Sequence, residues 1–258
     1  MDIGKITQLA KDEFGPHARC VYHQDRTGPQ SQNHLKADDI GAGDFVFVDS
    51  GVSGSNPQHA QNPDGLLLSV ERPAGATGPM GSWGAANLQT AQLPAAFLVV
   101  AVFRRPSQTP LNAQFVDGAY APSLLMNTDV VPPPNNLVGA TSQFRTTGGV
   151  RLNLPGTTLM VNRQDIEAAL HARIVDAQHP SDFCLALKVD RTMTPVAGKA
   201  WLFVGNEEGD SITFTFPSTN VTASTQIFDL RAGMGTANGI QYRASVDLLR
   251  FQIWAPAS

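Results

Sequence analysis

Three acidic residues lie close together in the segment GNEEGDS, which begins at Gly205. Glu207, Glu208 and Asp210 carry carboxylate oxygens, which are the ligands that Ca²⁺ prefers in proteins. The segment lies between two apolar runs, a position that is also typical of the solvated loop of a β-hairpin. We favour the hairpin loop, keep the three residues as metal-site candidates, and predict no bound metal and no cofactor.

A second set of metal-binding residue types is the evenly spaced group His17, Cys20 and His23. Imidazole and thiolate groups are zinc ligands. The surrounding segment has the pattern of a strand, in which successive side chains point to opposite faces. Cys20 then points away from the face that His17 and His23 share, so the three side chains do not converge on one ion.

The stretch DFVFVDSGVSGS, which begins at Asp44, contains the most specific local motif. Its segment Phe47–Gly51 resembles the apolar–Asp–Ser/Thr–Gly element of aspartic proteases, in which two aspartates share a proton. The resemblance implies that Asp49 is one of the two. The partner segment in this chain is Phe115–Gly118, which lacks the Ser or Thr between Asp117 and glycine. The alternative, which we favour, is a strand that ends in a turn where Asp49 bonds the backbone. We therefore predict no enzymatic activity and keep Asp49 as the catalytic candidate.

Composition and charge exclude several classes of function. Only 16% of the residues are charged, the net charge is −4, and no run of Lys or Arg occurs, so there is no strong signal for nucleic-acid binding. The two cysteines give no disulfide framework. The longest apolar run, FLVVAVF from Phe97, is too short to span a membrane. The N-terminal residues lack the apolar core of a signal peptide, so we expect synthesis in the cytosol.

Two segments have the periodicity of amphipathic helices. The first is Asp2–Phe14, with Asp2 as its N-cap and Gly15-Pro16 after its end. The second is the mid-chain segment Asn162–Ala177, which Asn162 can cap. Residues that share the apolar face of the first helix are Ile3, Ile6, Leu9, Ala10 and Phe14.

Most of the remaining sequence has the pattern of short strands between turns rich in glycine and proline. In Ser211–Phe216 apolar and polar residues alternate, and near the C-terminus Leu249, Phe251 and Ile253 also recur with a period of two. This period indicates strands buried on one face. The sequence predicts a mainly β protein of one or two antiparallel, jelly-roll-like β-sandwiches, with a short N-terminal helix and one mid-chain helix.

A proline-rich segment beginning at Pro132 divides the chain nearly in half. It predicts an N-terminal helical arm (1–16), a β-sandwich (17–131), a linker (132–146) and a second β-sandwich (147–258). The strand segments Phe97–Arg105 and Phe183–Arg191 share an order of proline, phenylalanine, apolar strand and arginine. Two related sandwiches in tandem would explain this similarity, and chance is the alternative.

The preferred functional interpretation is a self-assembling structural protein, a capsid or other particle subunit of a virus or phage, located in the virion. A protein surface with few charged groups costs little free energy to desolvate when subunits associate. The candidate subunit contacts are Ile3, Ile6, Leu9, Phe14 and Trp83, the last of which lies in the glycine-rich loop Gly75–Gly84. The alternative is a β-sandwich that binds carbohydrate or another ligand, with Trp83 or Trp201 stacking on a sugar. A third hypothesis is an aspartic-type hydrolase that uses Asp49.

Overall fold

The structure is a computed structural model that describes residues 1–50, 56–72, 83–90, 92–104, 123–127, 141–144, 150–154, 157–161, 181–216, 227–232 and 242–257. The described elements are one helix, α1 (Ile3–Phe14), and sixteen strands: β1 (Arg19–Asp25), β2 (Leu35–Asp38), β3 (Val46–Ser50), β4 (Asn56–Asn62), β5 (Gly65–Arg72), β6 (Trp83–Gln89), β7 (Ala96–Arg104), β8 (Ser123–Asn127), β9 (Thr141–Phe144), β10 (Val150–Leu154), β11 (Thr157–Val161), β12 (Phe183–Asp190), β13 (Ala197–Val204), β14 (Glu207–Thr215), β15 (Ile227–Ala232) and β16 (Tyr242–Ala255).

The strands form two antiparallel sheets. Sheet A has nine strands in the order β14-β13-β12-β7-β16-β1-β2, with β5 paired to β16 and β4 paired to β5. Sheet B has seven strands in the order β11-β10-β9-β8-β15-β6-β3. The prediction of a mainly β, antiparallel sandwich is confirmed.

The central strands of sheet A are buried on both faces. In β7, Phe97, Val99, Ala101 and Phe103 lie in the core between the sheets, which also contains Phe228 and Leu230 of sheet B. The intervening residues Leu98, Val100 and Val102 belong to a second cluster with α1. Burial on both faces explains why the run FLVVAVF is continuously apolar rather than alternating.

Helix α1 packs on the outer face of sheet A. Asp2 caps it by accepting a hydrogen bond from the backbone N–H of Lys5 at 2.8 Å, as the sequence predicts. Gly15 ends it with a φ of +88°. Its buried residues Ile6 and Leu9 lie in one cluster with Trp201 of β13. The sheet thus covers most of the apolar face that the sequence offered for subunit contacts.

The remaining contact candidates of α1 lie at the border of this cluster. Ile3 is 45% exposed, and Phe14 is partly buried against the cluster. The second predicted helix, Asn162–Ala177, lies outside the described residues.

Both sheets contain strands from before and after the predicted linker. Thr141–Phe144, within that linker, is β9 of sheet B, and the other linker residues lie outside the described ranges. Strands β7 and β12, which carry the repeated pattern, pair side by side and antiparallel in sheet A, with Phe183 opposite Phe103. The two strands with similar sequences therefore lie next to each other in one sheet and not in two separate sandwiches.

The alternation of Ser211–Phe216 is confirmed, since Phe214 and Phe216 are buried in the core and Thr213 and Thr215 are exposed. The prediction for Leu249 is wrong: Phe251 and Ile253 face the core, whereas Leu249 lies in the cluster under α1. A register shift in β16 between Leu248 and Arg250 is the cause, because a bulge moves the following side chains to the other face.

Among the described residues, no helix combines the length and the apolar character that crossing a membrane requires.

Candidate functional site

An open cleft of about 650 Å³ lies where several chain segments meet. The loop between β1 and β2 supplies Arg26 and His34, and the approach to β3 supplies Asp44. Strands β3 and β4 supply Phe47, His59 and Gln61. Three side-chain amides complete the polar part of the lining: Gln30, Gln32 and Asn33.

The β1–β2 loop is held at both ends of its first turn. The carboxylate of Asp25 accepts hydrogen bonds from the backbone N–H of Thr27 at 3.1 Å and from its hydroxyl at 2.6 Å. The backbone N–H of Gly28 donates to the carbonyl of Pro63 at 2.7 Å, which ties the loop to the turn between β4 and β5. Gly28 has a φ of +111°, a conformation that favours glycine. These contacts bring two hairpins together around the cleft.

The aromatic part of the cleft is a stacked pair, Phe47 and His59. Their ring centroids are 4.1 Å apart and their planes differ by 9°. Phe47 is 37% exposed, as few large apolar side chains among the described residues are, and His59 is also exposed. The pair therefore offers a flat aromatic surface beside hydrogen-bonding groups.

The charged part of the cleft is an ion pair between a buried arginine and an exposed aspartate. Arg26 is 5% exposed, and its guanidinium donates to Asp44 and to Gln24 Oε1, the latter at 2.6 Å. The guanidinium also lies 5.2 Å from the ring centroid of Phe45. The side chain of Asp44 is 63% exposed. Arginine thus fixes a carboxylate that faces solvent.

Two further polar side chains of the lining keep acceptor atoms without a partner. His34 Nδ1 lies 2.9 Å from the carbonyl oxygen of Asp25, so Nδ1 carries the hydrogen and donates it. Gln61 Nε2 donates to the carbonyls of Arg26 at 2.6 Å and Asn62 at 2.9 Å. Within the part of the chain that the structure describes, His34 Nε2 and Gln61 Oε1 have no hydrogen-bond partner.

The residues that the sequence singled out lie elsewhere. Asp49 belongs to β3, where its backbone is opposite Gly84 of β6, and Asp117 lies outside the described residues. The position of Asp49 relative to Asp117 therefore stays untested, and Asp49 stays the catalytic candidate.

The acidic candidates lie in β14, after the turn that joins it to β13, and not in the hairpin loop itself. Glu207 and Glu208 are exposed neighbours in β14, so they point to opposite faces of the sheet. Asp210 follows in the same strand. Among the described residues, no group of three or more His, Cys, Asp or Glu side chains is arranged to hold a metal ion.

The evenly spaced histidines and cysteine do not form a site either. His17 is exposed in a turn before β1. The thiol of Cys20 donates to the carbonyl of Tyr22 at 3.2 Å, and burial raises the pKa of this thiol to about 12. Cys20 is therefore protonated at neutral pH and is a poor metal ligand.

Neither tryptophan suggested for sugar stacking lines the cleft. Trp201 is 2% exposed under α1, with the ammonium of Lys199 4.5 Å from its ring centroid. Trp83 begins β6, opposite Ser50 of β3. The aromatic rings that line the cleft are those of Phe47 and His59 instead.

Comparisons with known proteins show the fold of this chain but do not assign it to a family. No family model matches the sequence, and no curated protein matches it either. Among solved structures, lectin I from Ulex europaeus in complex with the methyl glycoside of α-L-fucose is similar over 93% of this chain and 98% of its own, with 9% identity and a TM-score of 0.50. The winged bean acidic lectin complexed with methyl-α-D-galactose is similar over 93% of this chain and 100% of its own, with 10% identity and a TM-score of 0.50. The fold is therefore a β-sandwich like that of legume lectins.

The prediction of a capsid or virion subunit is wrong. The folds that match are lectin β-sandwiches, which agree with the alternative prediction of a carbohydrate-binding module. Low charge and many short strands are common to both classes of protein, so composition alone did not separate them. Self-association, the absence of enzymatic activity and synthesis in the cytosol stay predictions.

The cleft was not predicted from the sequence: Asp44 and Phe47 appear there only in the protease-like stretch, and Arg26 and His59 belong to no predicted site. Arg26, Asp44 and His59 come from three separate elements, and no local spacing links them. The one available signal is the segment RTGPQSQNH from Arg26 to His34, whose amides and glycine mark a polar loop.

Proposed function

We propose that this protein binds carbohydrate in the cleft between the β1–β2 loop, β3 and β4. The observation that carries the proposal is the exposed, stacked pair Phe47 and His59 next to a fixed carboxylate, Asp44. A sugar ring has an apolar C–H face and a rim of hydroxyl groups. An aromatic face packs against the first, and hydrogen-bonding groups bind the second.

The amides of the cleft add adaptable hydrogen bonds. Gln30, Gln32 and Asn33 are exposed, and an amide both donates and accepts. Hydroxyl groups also do both, so amides suit a polyhydroxy ligand of unspecified stereochemistry. The two similar lectins, one solved with a fucoside and the other with a galactoside, agree with this class of ligand.

A glycan array followed by isothermal titration with the strongest neutral oligosaccharide tests the proposal. We expect Phe47→Ala to weaken binding about three- to tenfold, because one aromatic contact contributes about 0.5–1.5 kcal/mol. Met193→Ala is the matched control, since Met193 is 54% exposed and does not line the cleft. No binding to any glycan would contradict the proposal, as would equal affinities for the wild type and Phe47→Ala.

A further inference from the structure

The carboxylate of Asp44 is exposed but held in place through one of its oxygens. Oδ1 accepts hydrogen bonds from Arg26 Nη2, from Gln24 Nε2 at 2.9 Å and from the backbone N–H of Phe45 at 2.6 Å. Oδ2 takes part in none of these bonds. Oδ1 therefore anchors the carboxylate, and Oδ2 is left to accept hydrogen bonds from a ligand.

The anchoring groups form a buried polar network. Gln24 is fully buried and accepts from Arg26 Nε at 2.6 Å. Its amide nitrogen also donates to the hydroxyl of Tyr22 at 2.6 Å, and that hydroxyl donates to the carbonyl of Gly43 at 2.7 Å. Burial raises the pKa of the Tyr22 phenol, so the hydroxyl keeps its hydrogen at neutral pH. Such a network is costly to bury unless its members are paired, and pairing them makes it rigid.

The other atoms of the cleft that lack a partner are also acceptors. In the neutral imidazole, His34 Nε2 carries no hydrogen when Nδ1 donates to the backbone carbonyl of Asp25, and Gln61 Oε1 is an amide carbonyl oxygen. The orientation of the Gln61 amide is fixed, because its nitrogen faces backbone carbonyls. Both atoms are buried, so a ligand reaches the exposed carboxylate of Asp44 before either of them.

We propose that Asp44 is the specificity-determining residue of the cleft and selects neutral sugars over uronic acids and sulfated sugars. This inference rests on the proposed carbohydrate-binding function. Hydroxyl groups donate to Asp44 Oδ2, whereas a carboxylate or sulfate on the sugar has no hydrogen to donate and is repelled by the charge of Asp44. The charge of Arg26 offsets part of this repulsion, but its buried guanidinium is already paired with Asp44 and Gln24, so the selectivity comes mainly from the hydrogen that a hydroxyl donates and a carboxylate lacks.

The test compares one neutral oligosaccharide with its counterpart of the same linkage in which C6 is a carboxylate, using isothermal titration. We expect the wild type to bind the neutral form at least about tenfold more tightly, since hydrogen bonds to a charged group are strong. Asp44→Asn should weaken binding of the neutral form about tenfold. The substitution should also reduce the ratio of the affinities for the neutral and the acidic sugar, because the asparagine amide can donate a hydrogen bond to the carboxylate of the acidic sugar. Asp39→Asn is the matched control, since Asp39 is 57% exposed and does not line the cleft.

A second measurement on the wild type keeps the inference testable if Asp44→Asn does not fold. Raising the salt concentration screens repulsion between charges, so the affinity for the acidic sugar should rise towards that for the neutral sugar. Equal or tighter binding of the acidic sugar at low salt would overturn the inference and leave carbohydrate binding standing. An unchanged ratio in folded Asp44→Asn would do the same. If neither sugar binds, and no glycan binds on the array, the proposed function itself fails.

Discussion

Replacing Asp247 with asparagine should stabilise the protein at neutral pH and not in acid. Asp247 lies in β16, is 5% exposed, and its Oδ1 has no hydrogen-bond partner among the described residues. Burial, together with the charge of Asp64, raises the pKa of Asp247 from 3.8 to about 6, although Arg104 opposes the rise. The folded protein therefore holds this proton more tightly than the unfolded chain does.

The sign and size of the effect follow from the two pKa values. Below about pH 4 the carboxyl of Asp247 is protonated in both states and costs nothing. Between about pH 4 and pH 6 the unfolded chain loses its proton first, so the free energy of unfolding falls as the pH rises. Above about pH 6 the loss is complete. The pKa difference corresponds to about 3 kcal/mol, at ~1.4 kcal/mol for each tenfold change in proton affinity.

Urea unfolding of the wild type and Asp247→Asn at a series of pH values measures this effect. We expect the stability difference between the two proteins to grow by about 3 kcal/mol in favour of the variant between pH 4 and pH 7.5. The cost of burying an amide is the same at every pH, so it cancels from the change in this stability difference between the two pH values. Asp39→Asn, which changes an exposed carboxylate, should show little of this pH dependence. A stability difference that stays constant with pH, or that favours the variant more in acid, would show that the pKa of Asp247 is not raised in the folded protein.

Two further substitutions test the packing of sheet A. Gly198→Ala should lower the free energy of unfolding in urea by about 1–3 kcal/mol, because an added Cβ would lie 2.4 Å from the ring of Phe214. A decrease below about 0.5 kcal/mol would contradict this packing. Glu13→Gln should lower the melting temperature at low salt by an amount equivalent to about 1–2 kcal/mol, because the carboxylate oxygens of Glu13 lie 3.0 Å from Lys188 Nζ and 3.0 Å from Lys199 Nζ and so join α1 to sheet A. A decrease in melting temperature that is as large at high salt would argue against the ion pairs.

The parts of the fold that follow from local periodicity could be predicted from the sequence. Helix α1 was predictable because its apolar stripe, the cap Asp2 and the terminating Gly15 all lie within one segment. The face of Leu249 was not predictable, because the bulge in β16 depends on pairing with β7, which is distant in sequence. The order of strands in the sheets likewise depends on contacts between distant segments.

The candidate site could not be predicted for the same physical reason. Phe47 and His59 form one aromatic surface only because β3 and β4 place their rings face to face. Trp201 seemed the better platform from residue type alone, but α1 covers it. Residue type shows which side chains can bind a sugar, and only the tertiary structure shows which of them are exposed together.

Amide hydrogen exchange in the presence and absence of a bound glycan shows directly whether the cleft binds carbohydrate. The ligand is the neutral oligosaccharide that gives the strongest signal on the array. We expect increased protection in residues 26–34, 44–47 and 59–61, which border the cleft, and unchanged exchange in α1. Protection confined to other segments, or no change at a saturating glycan concentration, would contradict the claim that this cleft binds carbohydrate.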